Sequence, residues 1–148
     1  MMALSPYIVT KGVVLRETET RDADKILTLL TAERGKLSVI ARGVCRKGCK
    51  FAACAQPLAY SEWTLYKKGD WYYANEGATL ELFNGLRADL DAMALGFYLA
   101  ELTEFVAGEE NPAPELLRLL LNGLYALAKL NKDPALVKPA FTFRLLAL

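Results

Sequence analysis

The spacing of apolar residues changes near Phe83, and this change constrains the fold more than any other feature of the sequence. Before Phe83, short runs of β-branched and aromatic residues are separated by turn residues, which is typical of strands. After it, apolar residues recur at helical spacing, as at Leu86, Leu90, Met93 and Phe97. The sequence therefore predicts an α+β chain, with a strand-rich domain in residues 1–81 and a helical domain in residues 82–148.

Five strands are predicted in the first part of the chain: Tyr7–Arg16, Lys25–Thr31, Lys36–Val44, Leu58–Lys67 and Trp71–Leu80. The second run, read alone, is also compatible with a short helix, but the clean alternation of the third favours a hairpin between them. Gly35 supplies the positive φ that this turn needs, and Gly69 and Asp70 turn the last hairpin. Five short strands with close turns are typical of a small barrel or a sandwich.

Alternation also assigns side chains to the two faces of each strand. In the third strand, Leu37, Val39 and Ala41 share one face. Lys36 and Arg42 are therefore predicted on the same side of that strand, opposite the apolar face. In the first strand, the residues that share a face are Tyr7, Val9, Val13 and Leu15.

The second part of the chain predicts three helices. The first begins near Leu86 and ends before Gly108. The second, Ala113–Leu130, carries only a narrow polar strip, so it must be buried around most of its circumference. The third, Pro134–Leu148, is capped by Asp133. Because its apolar pattern continues to the last residue, we expect further chain to pack there.

The sequence lacks the residues on which most catalytic and metal sites depend. It contains no histidine, which is the usual general base and a common zinc ligand near neutral pH. Its three cysteines, Cys45, Cys49 and Cys54, are one ligand short of a zinc site and favour free thiols. No glycine-rich phosphate-loop motif is present. We therefore expect binding rather than catalysis, with no metal and no cofactor.

Free thiols suit a reducing compartment, so we expect a cytoplasmic protein. The longest uncharged stretch, Phe51–Ser61, is about half of the roughly 20 residues that a membrane span needs. Met1–Thr10 has no basic residue before its apolar stretch and does not read as a secretory signal. The sequence therefore indicates no membrane partner.

The formal net charge of +1 is unevenly distributed. Positive charge is in excess in residues 1–70 and negative charge in residues 71–148. No carboxylate occurs between Glu33 and Glu62, and the basic residues clustered around this stretch are Arg34, Lys36, Arg42, Arg46, Lys47 and Lys50. Such a segment is either a solvated loop with counter-ions or a binding site for a polyanion. Its high density of uncompensated positive charge favours the polyanion.

Aromatic residues are concentrated in the fourth and fifth predicted strands. Most of them are expected in the core or in cross-strand pairs. The consecutive residues Trp71, Tyr72 and Tyr73 cannot all point inward, so at least one ring is expected on the surface. An exposed ring beside Lys67 and Lys68 is suited to stack on nucleic-acid bases.

Several segments, in this order, resemble the RecO family of bacterial recombination mediators: Gly12–Arg16, Asp24–Thr31, Gly35–Leu37, Ala41–Gly43 and Gln56–Leu58. The helical part is similar to that family at Glu101, Leu102 and Asp133–Leu148. The resemblance implies a five-stranded OB-fold barrel followed by an α-helical domain. It also implies binding of single- and double-stranded DNA, annealing of complementary strands, and loading of RecA with RecR on DNA coated by SSB, at the nucleoid.

The resemblance, together with the charge pattern, assigns DNA binding to Arg34, Lys36, Arg42, Arg46, Lys47, Lys50, Lys67, Lys68 and Trp71. It further implies contact with the acidic C-terminal tail of SSB. We expect Lys132, Lys138 and Arg144 to supply the cations for that tail. Pro139 stands near the position where some members of the family carry an arginine implicated in this contact.

The same features allow an alternative of another class, a protein-interaction adaptor. In that case the leucine-rich helices are the working surface, and the basic segment recognises an acidic peptide. Salt-sensitive binding to single-stranded DNA distinguishes the two hypotheses. Because no helix carries base-reading residues, DNA binding is expected to be nearly independent of base sequence.

Overall fold

The computed structural model describes residues 6–20, 22–130 and 132–148 of the chain. Within these ranges it forms five strands: β1 (Tyr7–Glu19), β2 (Lys25–Thr31), β3 (Gly35–Ala41), β4 (Tyr60–Lys68) and β5 (Trp71–Glu81). The helices that follow are α1 (Asn84–Arg87), α2 (Leu90–Val106), α3 (Pro114–Ala128) and α4 (Pro134–Leu146). Residues 1–5, part of the segment considered above for a secretory signal, lie outside the described ranges.

The strands close into a barrel in the order β1-β2-β3-β5-β4. All neighbours are antiparallel except β3 and β5, which pair in parallel through Val39 with Tyr72 and Ile40 with Tyr73. This order is that of an OB fold. The predicted α+β architecture, a five-stranded OB-fold barrel followed by helices, is therefore confirmed. The division of the chain into two domains at residue 81 stays a prediction.

Two apolar clusters hold the strands and helices together. The first fills the barrel and contains Trp63, which is fully buried. The second lies outside the barrel and joins Val13 and Leu30 of the strands to Leu99 and Leu120 of the helices. Each buried aliphatic side chain contributes about 1.5–3 kcal/mol, so this second cluster stabilises the packing of the helices against the barrel.

The residues predicted to share a face of β1 lie on the outside of the barrel. Val13 and Leu15 are buried in the second cluster, whereas Tyr7 and Val9 are 46% and 58% exposed. The interior of the barrel receives Val14 instead. The alternation is thus correct, but both faces of β1 carry apolar residues because each face serves a different cluster.

The single helix predicted after residue 83 is in fact two helices, α1 and α2. The Asp89 side chain accepts hydrogen bonds of 3.0 and 3.2 Å from backbone N–H groups in the first turn of α2, which caps that helix. The predicted apolar stripe is also wrong in part, because Leu90 is 86% exposed. The buried face includes Gly96 instead, where an added Cβ would lie 3.0 Å from Leu58. The close contact at Gly96 therefore requires a small residue rather than a large apolar one.

The remaining helices agree with the sequence analysis except at the end of α4. The outward side of α3 carries the predicted polar strip, with Arg118 and Asn122 exposed. Asp133 caps α4 as predicted, accepting a hydrogen bond of 2.9 Å from the N–H of Ala135. Helix α4 continues through Pro139 and ends short of the predicted end. Within the described ranges, no helix combines the length and the apolar character needed to cross a membrane.

The segment between α2 and α3, residues 108–113, runs along the start of β3. The N–H of Lys36 donates to the carbonyl of Gly108, and the N–H of Glu110 donates to the carbonyl of Lys36, both at 3.2 Å. Gly35 has φ +65°, and an added Cβ there would collide with the backbone carbonyl of Asn111. The chain therefore returns to the barrel at this point and brings carboxylates close to Lys36, at the start of β3.

Candidate nucleic-acid interface

The cationic loop, which we define as residues 42–50, is anchored at its base to the β1–β2 turn. The N–H of Gly43 donates to Oδ1 of Asp24 at 2.5 Å, and the N–H of Cys45 donates to the carbonyl of Ala23 at 2.9 Å. The loop then folds into turns closed by its own backbone, including a 3.0 Å hydrogen bond from the N–H of Arg46 to the carbonyl of Gly43. These bonds fix the backbone and leave the long side chains on the surface.

The cations of this loop have no counter-charge within the protein. All four are exposed: Arg42, Arg46, Lys47 and Lys50. In the part of the chain that the structure describes, their side chains form no ion pair and no hydrogen bond, and Arg42 lies over the ring of Tyr73 at 4.7 Å from the centroid. Four positive charges on one short loop produce a local field suited to phosphate groups.

The predicted cations at the barrel edge, which we define as Arg34, Lys36 and Lys67, are in a different situation. The Nζ of Lys36 donates to the backbone carbonyl of Glu104 at 3.3 Å. The Nζ of Lys67 lies 3.8 Å from a carboxylate oxygen of Glu110. These two cations are therefore already occupied by acceptors from the helical part of the chain.

Tyr72 joins the same edge. Its hydroxyl donates to Oε1 of Glu110 at 2.8 Å, and the Nζ of Lys67 lies 5.5 Å from its ring centroid. Burial raises the pKa of Tyr72, and the Glu110 carboxylate raises it further, whereas Arg34 acts in the opposite direction. The edge is thus a mixed cluster of charges rather than an open cationic surface.

Lys36 and Arg42 are separated although both were assigned to one side of β3. They lie at opposite ends of the strand, about 20 Å apart at roughly 3.3 Å per residue. Lys36 faces residues of the helical part, and Arg42 begins the cationic loop. The structure therefore brings the predicted DNA-binding cations into two groups and not into one.

The β4–β5 hairpin presents the last predicted residues, Lys68 and Trp71. They are directly paired across the two strands, and Trp71 is 43% exposed. Tyr72 is buried, and Tyr73 is half-buried. The prediction that the three consecutive rings cannot all point inward is confirmed.

Sequence reasoning did not select Tyr66 and Tyr73 as site residues. Their rings stack with centroids 5.3 Å apart and an interplanar angle of 13°. The alternation of β4 and β5 contained the signal, since Tyr66 shares a face with Lys68 and Tyr73 shares one with Trp71. The anchoring role of Asp24 had no comparable signal, because it depends on a contact with a loop far along the chain.

The three cysteines are free thiols with different environments. Cys45 is exposed, Cys49 is intermediate and Cys54 is buried. The Sγ of Cys54 lies 3.4 Å from Oγ1 of Thr79. Among the described residues, no group of three or more cysteine and carboxylate side chains is placed to hold a metal ion.

A groove of about 280 Å³ lies between α3 and α4. Its lining is mostly apolar, with Phe141 and Leu136 from α4, and two of its residues are the predicted tail-binding cations Lys132 and Arg144. The third, Lys138, is elsewhere, because its Nζ lies 4.5 Å from the ring centroid of Tyr98 on α2. The structure therefore groups two of the three cations predicted for the tail.

Comparison with known proteins identifies matches along almost the whole chain. The family model described as "Recombination protein O N terminal" matches residues 2–83. The model described as "Recombination protein O C terminal" matches residues 87–148. The boundary between the two matches falls at the transition from barrel to helices.

Curated relatives give the same result. The DNA repair protein RecO of Acetivibrio thermocellus is 36% identical over 141 residues, which are 95% of this chain and 56% of the relative. That of Caldicellulosiruptor bescii is 37% identical over 139 residues, 94% of this chain and 57% of the relative. That of Bacillus subtilis is 32% identical over 127 residues, 86% of this chain and 49% of the relative. The chain spans about half the length of these relatives.

Proposed function

The chain belongs to the recombination protein O family, and we propose from this premise that it binds DNA in recombinational repair without catalysing a covalent step. The observation that carries the proposal is the cationic loop, with four exposed cations that lack internal counter-charges on a closed OB-fold barrel. OB-fold barrels bind nucleic acids through such charged loops and through aromatic residues on the strands.

The mechanism requires only neutralisation of the phosphate backbone. Lysine and arginine side chains that contact phosphates release condensed counter-ions, which drives binding to single and double strands regardless of base sequence. Two complementary strands repel each other less when their charges are reduced on one protein surface. A loop that contacts phosphates leaves base edges available, so that annealing follows from binding alone.

The wider role proposed here follows from the family. The relatives carry the name DNA repair protein, and we place this chain in the same process. It would act in the cytoplasm at the nucleoid, together with RecR, in loading RecA onto DNA coated by SSB. The charged barrel binds the DNA in this proposal, and the helices bind a protein partner.

The groove between α3 and α4 supports the SSB tail as that partner. An acidic tail with apolar terminal residues needs an apolar slot with cations at its rim, since its carboxylates are strongly hydrated unless paired. Lys132 and Arg144 line an apolar groove of this kind. Lys138 contacts Tyr98 instead, so we expect it to contribute less than Arg144.

The DNA proposal is tested by titrating a fluorescent single strand against salt. The logarithm of the association constant should fall with the logarithm of salt concentration at a slope of about −0.7 per neutralised phosphate. Reversing the loop charges, in a variant with Arg42, Arg46, Lys47 and Lys50 changed to Glu, should abolish most binding and leave the thermal transition nearly unchanged. A folded quadruple variant that binds DNA like the unmodified chain would refute the assignment.

The tail proposal is tested separately, by fluorescence anisotropy with a labelled acidic peptide. Arg144→Glu should weaken peptide binding, and Arg46→Glu, in the cationic loop, should not. The opposite result would place the tail on the barrel and would favour the adaptor hypothesis for the basic segment.

A further inference from the structure

Helix α2 carries apolar residues around its whole circumference, yet only one side of it is buried. The buried side faces the second apolar cluster and includes Gly96 and Leu99. On the opposite side, Leu90 and Phe105 are 86% and 90% exposed, and Phe97 is exposed as well. A helix with apolar residues all round is normally buried on all sides. Packing within the described chain therefore does not account for the apolar residues on the other side of α2.

The exposed apolar residues of α2 lie along a single line. At about 100° per residue, one face of the helix carries Leu90, Ala94, Phe97, Glu101 and Phe105. All five are exposed, and we define them as the outer face of α2. The line from Leu90 to Phe105 is about 22 Å long at roughly 1.5 Å per residue. Single exposed apolar residues are ordinary on a protein surface, but an apolar line of this length matches the face of another helix.

A groove of about 520 Å³ adjoins this face, between α2, β1 and the turn at Pro57. The apolar residues that line the groove are Leu15, Pro57 and Phe97. Leu15 is almost fully buried, whereas Phe97 is 43% exposed. Because Phe97 belongs both to the groove and to the outer face of α2, the apolar surface extends from the helix onto the barrel.

The charge around this surface is negative. Helix α2 contains three carboxylates and no lysine or arginine, and the groove adds Glu17. Two of these carboxylates are paired, Glu104 with Arg16 at 2.7 Å and Glu17 with a lysine of β2 at 2.6 Å. Asp91 and Glu101 are exposed and form no ion pair with the described residues. Glu101 is therefore a carboxylate without a counter-charge in the middle of an apolar line.

We propose that the outer face of α2 and the adjoining groove form a docking surface for a basic amphipathic helix of a partner protein. Apolar side chains of that helix, spaced by three or four residues, pack against Leu90, Phe97 and Phe105, as in other helix-in-groove complexes. A lysine or arginine beside this stripe pairs with Glu101. The surface shares no residue with the cationic loop or with the groove between α3 and α4, so its ligand is neither the DNA nor the acidic tail proposed above.

Charge also distinguishes this partner from other occupants. If a second copy of the chain packed α2 against α2, the same carboxylates would face each other with no cation on either helix. Like charges across an interface are unfavourable, and DNA or an acidic peptide is repelled for the same reason. The cationic loop of a second copy carries no stripe of large apolar residues that could cover the outer face. A basic helix with one apolar side satisfies both the charge and the apolar line.

Fluorescence anisotropy with designed helical peptides tests the proposal on the full chain, without DNA. The probe is a labelled peptide of about 18 residues, with leucines at helical spacing and lysines elsewhere. A second peptide has the same composition in scrambled order, and a third has glutamate in place of each lysine. The basic amphipathic peptide should bind at least about tenfold more tightly than either of the others. Leu90→Ser with Phe105→Ser should reduce its affinity about tenfold.

Matched variants locate the contact. Phe143→Ser with Leu146→Ser removes two residues of comparable exposure, 76% and 82%, from α4 and should leave peptide affinity within about twofold. Glu101→Lys should weaken binding several-fold, whereas Glu76→Lys, at an exposed position of β5, should not. Thermal melting followed by circular dichroism checks that each variant is folded. Should the double variant of α2 fail to fold, Glu101→Lys tests the same surface with a single exposed substitution.

Several outcomes would overturn the proposal. These are equal binding of the basic and the acidic peptide, equal losses from the α2 and α4 variants, and no binding of the basic peptide at about 100 μM. Sedimentation of the chain alone tests for a second copy. If the chain dimerises and Leu90→Ser with Phe105→Ser restores the monomer, a second copy covers the outer face and the proposal is wrong. Because none of these measurements involves DNA, their failure leaves the proposed DNA binding untouched.

Discussion

The cationic loop and the barrel edge contain the same types of basic residue, yet they differ in what surrounds them. The side chains of the loop cations form no ion pair and no hydrogen bond within the described chain, whereas Lys36 and Lys67 are occupied by acceptors from residues 104–110. The difference lies in the return of the chain to the barrel after α2. A positive charge in the sequence is therefore available to a ligand only where no later segment neutralises it.

The largest expected effect concerns the glycines that shape the two regions. Gly35→Ala should destabilise the protein by about 3 kcal/mol or more, because a Cβ collides with the Asn111 backbone at a positive φ. In the loop, Gly48 has φ +87°, and an added Cβ would have no atom within 4 Å. Gly48→Ala should therefore cost only backbone strain of about 1 kcal/mol. Denaturant unfolding of both variants gives the comparison. Equal costs would show that the barrel edge is not closely packed against residues 108–113.

The next prediction compares the loss of two cations from the loop with the loss of two cations from the barrel edge. Neutralising two loop cations, Arg46→Gln with Lys47→Gln, should reduce the steepness of the salt dependence by about 1.4, at roughly 0.7 per phosphate. Neutralising two edge cations, Lys36→Gln with Lys67→Gln, should change it by less than half as much, because these cations are already partnered. The salt titration described for the unmodified chain measures both. A larger effect from the edge pair would reverse the comparison between the two regions.

A smaller effect is expected from removing a carboxylate that pairs with a cation of the barrel edge. Glu110→Gln removes the carboxylate that lies 3.8 Å from Lys67 and should raise DNA affinity a few-fold, as one cation becomes available. Glu109→Gln removes the same charge from the neighbouring residue, whose side chain forms no hydrogen bond and no ion pair with the described residues, and serves as the matched control. Identical gains from the two variants would indicate a long-range charge effect and not a specific pairing.

The smallest expected effect is a shift in the pKa of Tyr72. Because burial and the Glu110 carboxylate both raise the pKa of Tyr72, Glu110→Gln should lower this pKa toward its usual value of about 10. The sign for stability follows from the raised pKa: the contribution of Tyr72 is present below pH 10 or so and is lost as the pH rises through the folded-state pKa. NMR titration of ring-labelled tyrosine reads the shift directly. A pKa that stays constant or rises in the variant would contradict the described contact.

Local sequence patterns were sufficient for most of the fold. The bounds of β2 agree with the predicted run, and the Gly35 turn has the positive φ that was expected. The break between α1 and α2 was not predicted, because the apolar spacing continues across it and conceals the capping signal of Asp89. The exposure of Leu90 was not predicted for a similar reason, since helical spacing identifies an apolar face but does not show which face packs against the core.

The candidate site was predictable as a set of residues and not as an arrangement. The cations were found because uncompensated charge is visible in a window of sequence. Their division into two groups depends on Glu104 and Glu110, which lie far from Lys36 and Lys67 in the chain. No local pattern contains such a contact. The stacking of Tyr66 on Tyr73 likewise required the register of β4 against β5.

The barrel is closed between β3 and β5 by a short parallel seam at Val39–Tyr72 and Ile40–Tyr73, whereas the other neighbouring strands pair over most of their length. Because this seam has few ladder hydrogen bonds, we expect its amides to exchange with solvent before those of the other strand pairs. Arg42 follows one strand of the seam and Tyr73 lies on the other. We expect a ligand that contacts both residues to bridge the seam and therefore to slow deuterium uptake by the amides along it.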